Sequence, residues 1–321
     1  MWPFTRNKKD KMTKSQNSDS VSKVGARMIR VRSLDFHGSY SESANKKFIL
    51  GWQDSDHTKG IGGFRESGEG TYILAENGKL RLKGRLQRPN GGNVADNGTF
   101  IINDWMFGEG KHGTFYVFDK EGVQLIKHRF KANFYNNGVS PDGKFAVCQC
   151  AGSDTADGNV LAFFDIETGA LLWKKIPKSG WADSYDFDCE KKYLYLGYRD
   201  EGKFRYDFDG KFLDKEKWET EQIENASAFE LSNMAKNQFK EIDDDLTVKD
   251  AKEILSLLRK AFKKGLDEDP NEKANAYRTA GEVNEAMGQT DNAIKYYEKA
   301  IELNPKVGVK RRLGALKKSA R

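Results

Sequence analysis

Short apolar runs separated by small-residue turns recur along the first two thirds of the chain. A turn of Asn, Asp, Glu, Gly or Lys leads into Phe48-Ile-Leu50, and again into Phe100-Ile-Ile102, Phe145-Ala-Val147 and Tyr193-Leu-Tyr195. Anchored on Phe48, Phe100, Phe145 and Tyr193, the spacings are 52, 45 and 48 residues. Each run is followed by a second phrase in which Asx or Glu and then Gly separate two apolar stretches: 72–82, 115–126, 161–173 and 204–213. Gly78, Gly122, Gly169 and Gly210 are predicted to take the positive φ that such hairpin loops require. Past Trp218 the period changes. Ala226–Phe239 has apolar residues at near-helical spacing and reads as a linker helix. Thr247-Val-Lys-Asp250 fits an N-terminal capping pattern, and Ala251, Ile254, Leu255, Leu258, Ala261 and Phe262 form one helical face until Gly265 and Pro270 end it.

A repeat of about 40–50 residues with several strands per unit is the signature of a β-propeller. The fold class expected is therefore multi-domain β + α: a propeller-like repeat domain of about four blades, then a helical domain. Phe164-Asp-Ile-Glu-Thr-Gly-Ala-Leu-Leu-Trp173 resembles blades of WD40-like and quinoprotein-like propellers, a likeness of architecture over about residues 33–218. The Gly-His and Trp-Asp signatures of true WD40 repeats are absent, and nothing identifies a quinone site, so no cofactor is expected. Four units over 186 residues fit a four-bladed ring, half of an eight-bladed ring made by two chains, or an open arc capped by the helices. Residues 27–36 read as a strand that either completes the last blade from the other end or forms a plain edge.

Residues 274–305 resemble a tetratricopeptide repeat, a helix–turn–helix unit of 34 residues. Tyr277, Ala280 and Gly281 stand at its first-helix packing positions, Gly288 at the turn, Ala293, Tyr297 and Ala300 in the second helix, and Pro305 at the end. Asn284 departs from the pattern, which prefers an aromatic there. The preceding helix resembles the second half of another repeat, with Lys310–Lys318 as a capping helix. The resemblance implies a groove that binds peptides or other proteins, with Asn275, Arg278, Glu282 and Glu285 facing it. The Lys/Asn clamp for C-terminal carboxylates is not reproduced, because Glu282 stands where Asn is needed. The competing reading is that so short an array packs on the propeller or mediates self-association, since arrays usually need about three repeats.

Composition sharpens this division. The net charge of +6 is uneven: residues 1–32 carry +7, residues 306–321 another +7, and the body between them −8. The domains expected are a disordered basic tail (1–25), a propeller (26–218), a linker with a short helix (219–247) and a tetratricopeptide-like domain with a basic end (248–321). Basic tails on an acidic body suit nucleic acid, an acidic membrane surface or an acidic protein, or simply keep the chain in solution. The apolar patch in Met1-Trp-Pro-Phe4 is followed by no signal-peptide core, and no apolar run approaches the ~18 residues of a membrane span. With three cysteines, a reducing cytoplasm is the expected location.

Candidate chemistry lies just after each anchor run, where equivalent positions share one mouth of a propeller. Trp52, Asp54, Asp104, Trp105, Tyr198 and Arg199 are the candidate partner-binding residues there, of types that dominate binding hot spots; the alternative is that the aromatics fill wedges between blades and the acids cap turns. Asp56 and His57 accompany Asp54, but Asp/His loops are common. Cys148 and Cys150 lie on one side of a strand without the spacing or fourth ligand of a zinc site, so no metal site is expected. The Gly-rich 60–63 and 91–92 lack the strand–loop–helix context of a phosphate cradle, and no catalytic signature is present.

These features point to a non-enzymatic scaffold, adaptor or sensor subunit of a cytoplasmic complex with protein partners on two surfaces, including possible self-association to complete the ring. The first alternative is a nucleic-acid-associated accessory protein using its basic termini. The second is an enzyme or small-ligand binder at the blade mouth.

Overall fold

A computed structural model describes residues 19–242 and 246–319. The chain divides into two compact units at Asp214/Lys215. The Met1–Phe4 patch and most of the basic N-terminal tail lie outside the described residues.

The first unit holds four antiparallel sheets. Sheet A runs β1 (Val21–Val24), β2 (Met28–Val31), β3 (Phe36–Glu42), β4 (Phe48–Gln53), β5 (Gly70–Glu76) and β6 (Lys79–Leu86) in spatial order. Sheet B contains β7 (Pro89–Val94) to β10 (Gln124–Phe130), with β8 (Phe100–Asp104) and β9 (Gly113–Phe118) between them. Sheet C contains β11 (Phe134–Val139), β12 (Phe145–Cys150), β13 (Leu161–Asp165) and β14 (Leu171–Lys175). Sheet D has β15 (Ser184–Asp188), β16 (Tyr193–Tyr198) and β17 (Gly202–Asp207). A bridge between Tyr206 and Phe212 and the bond from Leu213 N–H to the Arg205 carbonyl add a fourth, very short strand to sheet D. The four anchors each open the second strand of a meander: β4, β8, β12 and β16. All four hairpin glycines take positive φ, between 70° and 84°. In three of the hairpins an aspartate caps the loop: Asp119, Asp165 and Asp207 accept from backbone N–H groups two to four residues on.

Successive sheets stack, and three apolar seams hold them. Phe48, Leu50, Tyr72 and Leu74 meet Phe100, Ile102 and Phe118 between A and B. Ile101, Phe115 and Val117 meet Ala146, Cys148 and Phe164 between B and C. Val147, Leu161 and Phe163 meet Leu194, Leu196 and Tyr206 between C and D. Alternate residues of one strand thus serve opposite seams, Ile101 one and Ile102 the next, because side chains alternate across a strand. This burial on both faces is why the anchor runs are continuously apolar. The first strands β3, β7, β11 and β15 lie innermost, and β3 and β15 line one cleft from different sides.

The N-terminal segment does not complete the last blade. It folds as the β1–β2 hairpin beside β3 and curls round until Ser20 bridges Lys79, with Val21 N–H donating to the Gly78 carbonyl at 2.9 Å. Sheet A therefore closes on itself around Ile29, Val31, Phe36, Ile49, Ile73 and Ala75. Gly51 permits this: a Cβ there would stand 2.5 Å from Ile29 Cδ1. The face of sheet A turned from sheet B is thus sealed by its own hairpin. The corresponding face of sheet D is polar, with Lys203–Asp186 and Arg205–Asp214 ion pairs and the Arg205 guanidinium over the Tyr193 ring. The four sheets form a propeller-like arc whose two end faces are finished by the chain itself, so completion of a ring by a second copy gains no support.

The second unit is helical: α1 (Lys215–Asn225), α2 (Ala228–Glu241), α3 (Val248–Lys263), α4 (Pro270–Ala286), α5 (Thr290–Leu303) and α6 (Lys310–Ser319). Thr247 and Asp250 form the capping box at α3. α2, which the spacing alone presents as a linker helix, packs along α3 through Leu231 and Ala235 against Ile254, Leu258 and Ala261. α2–α3 and α4–α5 are two successive helical hairpins, and α6 follows as a cap. Ala293, Tyr297 and Ala300 are buried, and Gly288 turns at φ 70°. Gly281 lies against the Tyr297 ring, where a Cβ would fall 2.5 Å from Cδ1. The departure at Asn284 is absorbed locally: its Nδ2 donates to the Ala280 carbonyl at 2.7 Å.

Candidate functional site

Two surfaces gather chemistry, one in each unit. In the strand unit, a cleft of about 360 Å³ opens along the inner strands. Trp52 and Trp105 line it, with Tyr40 and Tyr135. Its polar lining is carboxamide: Asn90, Asn93, Asn103, Asn136 and Asn137. Four of them come from the Gly/Asn-rich strands β7 and β11, which face the middle of the arc and so are spared the apolar requirement of the seams, and Asn103 comes from the end of the anchor strand β8. Asn93 Nδ2 donates to Asn137 Oδ1 at 2.7 Å, tying β7 to β11, and Asn136 Nδ2 donates to the Asp183 carbonyl at 2.8 Å, tying β11 to the start of β15.

The other predicted mouth residues take different roles. Asp54 is clamped by two guanidiniums, with Arg65 Nη1 at 3.0 Å and Arg88 Nε at 3.2 Å, and Arg88 lies over the Trp105 ring, 5.9 Å from its centroid. Asp104 is 2 % exposed and does not face the mouth. Its Oδ1 accepts from the N–H of Arg88 at 2.6 Å and of Met106 at 3.2 Å, and burial pushes its carboxyl above the usual range. Tyr198 and Arg199 line neither central cleft. The Tyr198 hydroxyl donates to Ser179 Oγ at 2.6 Å, and the Arg199 N–H donates to Asp183 Oδ2 at 2.8 Å. Asp56 caps a turn through Thr58, whose hydroxyl bond holds the carboxyl below its ordinary value. Cys148, Cys150 and Cys189 are unpaired. Among the described residues no group of three His, Cys, Asp or Glu side chains is placed to hold a metal, and no helix is long and apolar enough to cross a membrane.

In the helical unit, a groove of about 200 Å³ runs between α2 and α4. Asn275, Arg278 and Glu282 line it from α4, joined by Lys236, Phe239 and Lys240 from α2. Residues at i, i+3, i+4 and i+7 of α4 present one face, which is why three of the four predicted side chains arrive together. Glu285 does not join them. It accepts from the Tyr297 hydroxyl at 2.5 Å and pairs with Arg312 of α6 at 3.1 Å. Burial and that bond both push the Tyr297 hydroxyl up. The α2 lysines escaped sequence reasoning because α2 reads as a linker until its packing against α3 is seen.

Residues 274–307 match the family model of the tetratricopeptide repeat. No curated protein matches the chain. Among solved structures, the chain is similar to the β-propeller domain of Myceliophteria thermophila Cps50 (Swd1), at 11% identity, over 56% of this chain and 57% of that one, with a TM-score of 0.33. The propeller-like architecture rests on the sheet order and seams, not on that likeness.

Proposed function

We propose that the chain is a non-enzymatic interaction module whose helical groove takes an acidic peptide segment of a partner protein. Tetratricopeptide repeats and propellers are generally protein-interaction modules, which supports the scaffold reading. The observation that carries the finer one is the charge of the groove. Lys236, Lys240 and Arg278 stand on its walls, and its carboxylate, Glu282, is shared between Arg278 and Arg312 at 3.0 and 3.3 Å. Cations left in excess over carboxylates beside the Phe239 ring suit a peptide carrying acids and one large apolar residue. Exposed charges of this kind steer partners and act more weakly as salt rises. The three unpaired cysteines support work in a reducing compartment such as the cytoplasm.

A peptide-display selection on the full-length chain tests this, run beside a Lys236→Glu/Lys240→Glu variant. The expected result is enrichment of acidic peptides, at least tenfold weaker capture by the variant, and capture that declines with salt. Enrichment without acidic bias, or capture the variant leaves unchanged, overturns the groove assignment. Screening by nucleic acid in the same format addresses the basic C-terminal helix, whose Lys310 and Arg311 are exposed.

A further inference from the structure

The central cleft of the strand unit holds polar atoms that the protein leaves without partners. Asn103 is 3 % exposed, yet its Oδ1 meets no hydrogen-bond donor among the described residues. Ser41 Oγ, on the β3 side of the same cleft, is likewise buried and unpartnered. A buried polar atom without a partner costs about 1–3 kcal/mol, so native proteins rarely keep one without a use. Both residues line the cleft, whose size of about 360 Å³ lies in the range of about 300–1,000 Å³ usual for ligand sites.

We infer that this cleft binds a neutral polyhydroxylated ligand, a mono- or disaccharide. The lining chemistry selects the class. No carboxylate, ammonium or guanidinium stands among the lining residues, which gives a phosphate, a carboxylate or a cation no counter-charge. Asn103 Oδ1 is an acceptor that needs a donor. Ser41 Oγ both donates and accepts. Asn137 has its Oδ1 occupied by Asn93, which leaves its Nδ2 a donor on the cleft wall, beside Gly91. Sugar hydroxyls, each donor and acceptor at once, satisfy such a mixed set. Trp52 supplies an aromatic ring for the C–H face of a pyranose, and Trp105, which carries Arg88 over one side of its ring, lines the cleft beside it. Three of the carboxamides, Asn93, Asn136 and Asn137, are held in place before any ligand arrives, through the bonds from Asn93 to Asn137 and from Asn136 to the Asp183 carbonyl, and such preorganisation lowers the entropy lost on binding. The cleft is independent of the helical groove, and either assignment survives the loss of the other.

Gly91 offers a clean way to block the cleft. A Cβ there would meet only Asn137 Nδ2 at 3.5 Å and Asn103 Nδ2 at 3.9 Å, ordinary contacts with two cleft carboxamides, so a side chain added here starts beside those groups without its Cβ striking backbone. The experiment is a titration of the full-length protein, followed by tryptophan fluorescence, with glucose, galactose, mannose, N-acetylglucosamine and their β1–4 and α1–4 disaccharides. Adenosine and glucose 6-phosphate serve as parallel arms. A saturable change with at least one neutral sugar is expected, at a Kd of roughly 1 mM or below, weakened at least tenfold in Gly91→Leu and in Asn103→Leu. Ser41→Ala removes a single hydroxyl and carries the test should either of those fail to fold. No saturable change with any neutral sugar overturns the inference. So does binding that all folded cleft variants retain, or tighter binding of adenosine or glucose 6-phosphate than of every neutral sugar.

Discussion

Asn45 is hydrogen-bonded twice to Asp96: its backbone N–H donates to Asp96 Oδ1 at 2.8 Å, and its Nδ2 donates to the Asp96 carbonyl at 3.2 Å. The two residues occupy the same turn, between first and second strands, of successive sheets. The relation repeats along the arc. The Asp96 N–H donates to the Pro141 carbonyl at 2.8 Å, Asn97 Nδ2 to the Asp142 carbonyl at 2.9 Å, and Cys189 Sγ lies 3.7 Å from Asp142 Oδ1. Turn-to-turn bonds therefore tie together at their ends the sheets that apolar seams join along their faces.

Asn45→Ala removes one inter-sheet bond and the Oδ1 acceptor used by the Lys47 N–H. At ~1 kcal/mol for a net hydrogen bond, a loss of 1–2 kcal/mol is expected. Urea unfolding followed by tryptophan fluorescence checks it; an unchanged midpoint would mean the turns are held by the seams alone.

Asp54 is paired with Arg65 and Arg88. Asp54→Ala takes the counter-charge from two largely buried guanidiniums; Arg65 keeps its backbone carbonyl acceptors at Gly63, Gly68 and Gln87, while Arg88 loses its carboxylate and its place over Trp105. Breaking a buried pair by deleting one partner costs about 3–5 kcal/mol, and less where water reaches it, as at the rim of this unit. A lowered thermal midpoint with a red-shifted tryptophan emission is the expected result. Loss of binding in a variant of undiminished stability would return Asp54 to the list of partner contacts.

Gly281→Ala sets a methyl into the Tyr297 ring, which its bond to Glu285 prevents from swinging aside. Overpacking of this kind costs about 1–3 kcal/mol. The helical signal in circular dichroism should melt earlier while the strand unit keeps its transition. The second change Tyr297→Phe, which frees the ring from Glu285, should recover part of the loss.

Asp104 sets a pH dependence whose sign is fixed by its burial. Its folded value is raised, so the folded state holds the proton to higher pH than the unfolded chain does. Its contribution is fully favourable below the ordinary carboxylate range, near pH 4, and is lost as pH rises through the raised value. Asp104→Asn keeps an acceptor for the Arg88 and Met106 N–H groups and removes the charge. Stability of the variant should fall less between pH 4 and neutrality than that of the parent; parallel curves would contradict it.

The thiols are guarded by burial. It pushes Cys150 up to about 12, Cys189 to about 11 and Cys148 well above its usual value. Since the thiolate is the reactive form, a disulfide reagent at pH 8 should label the native protein slowly at all three sites and rapidly once it is unfolded. Fast labelling of Cys148 or Cys150 in the folded chain would show that sheet C opens locally.

Much of this was legible in the residues themselves. Phe48, Phe100, Phe145 and Tyr193 each open the strand that follows the innermost one of its sheet, and Gly78, Gly122, Gly169 and Gly210 each turn the hairpin predicted for them, because strand and turn propensities act over a few residues. The capping box at Thr247 and the small residues Gly281, Ala293 and Ala300 are equally local, being set by helical spacing. Where strands pair over long separations the pattern is silent. An apolar segment at 28–31 announces that it will be buried, not against what; tertiary structure chose β3 and the far edge at Lys79 over the last sheet. Aspartates 54 and 104 look alike in the sequence, one after each anchor run. The fold gives one two arginines and the other a pair of backbone N–H groups. Glu285 shares a helical face with the groove residues, yet Tyr297 and Arg312, brought up by α5 and α6, claim it. Strand, turn and cap follow from neighbours along the chain. The partners of a buried polar group, and so the chemistry of a site, follow from neighbours in space.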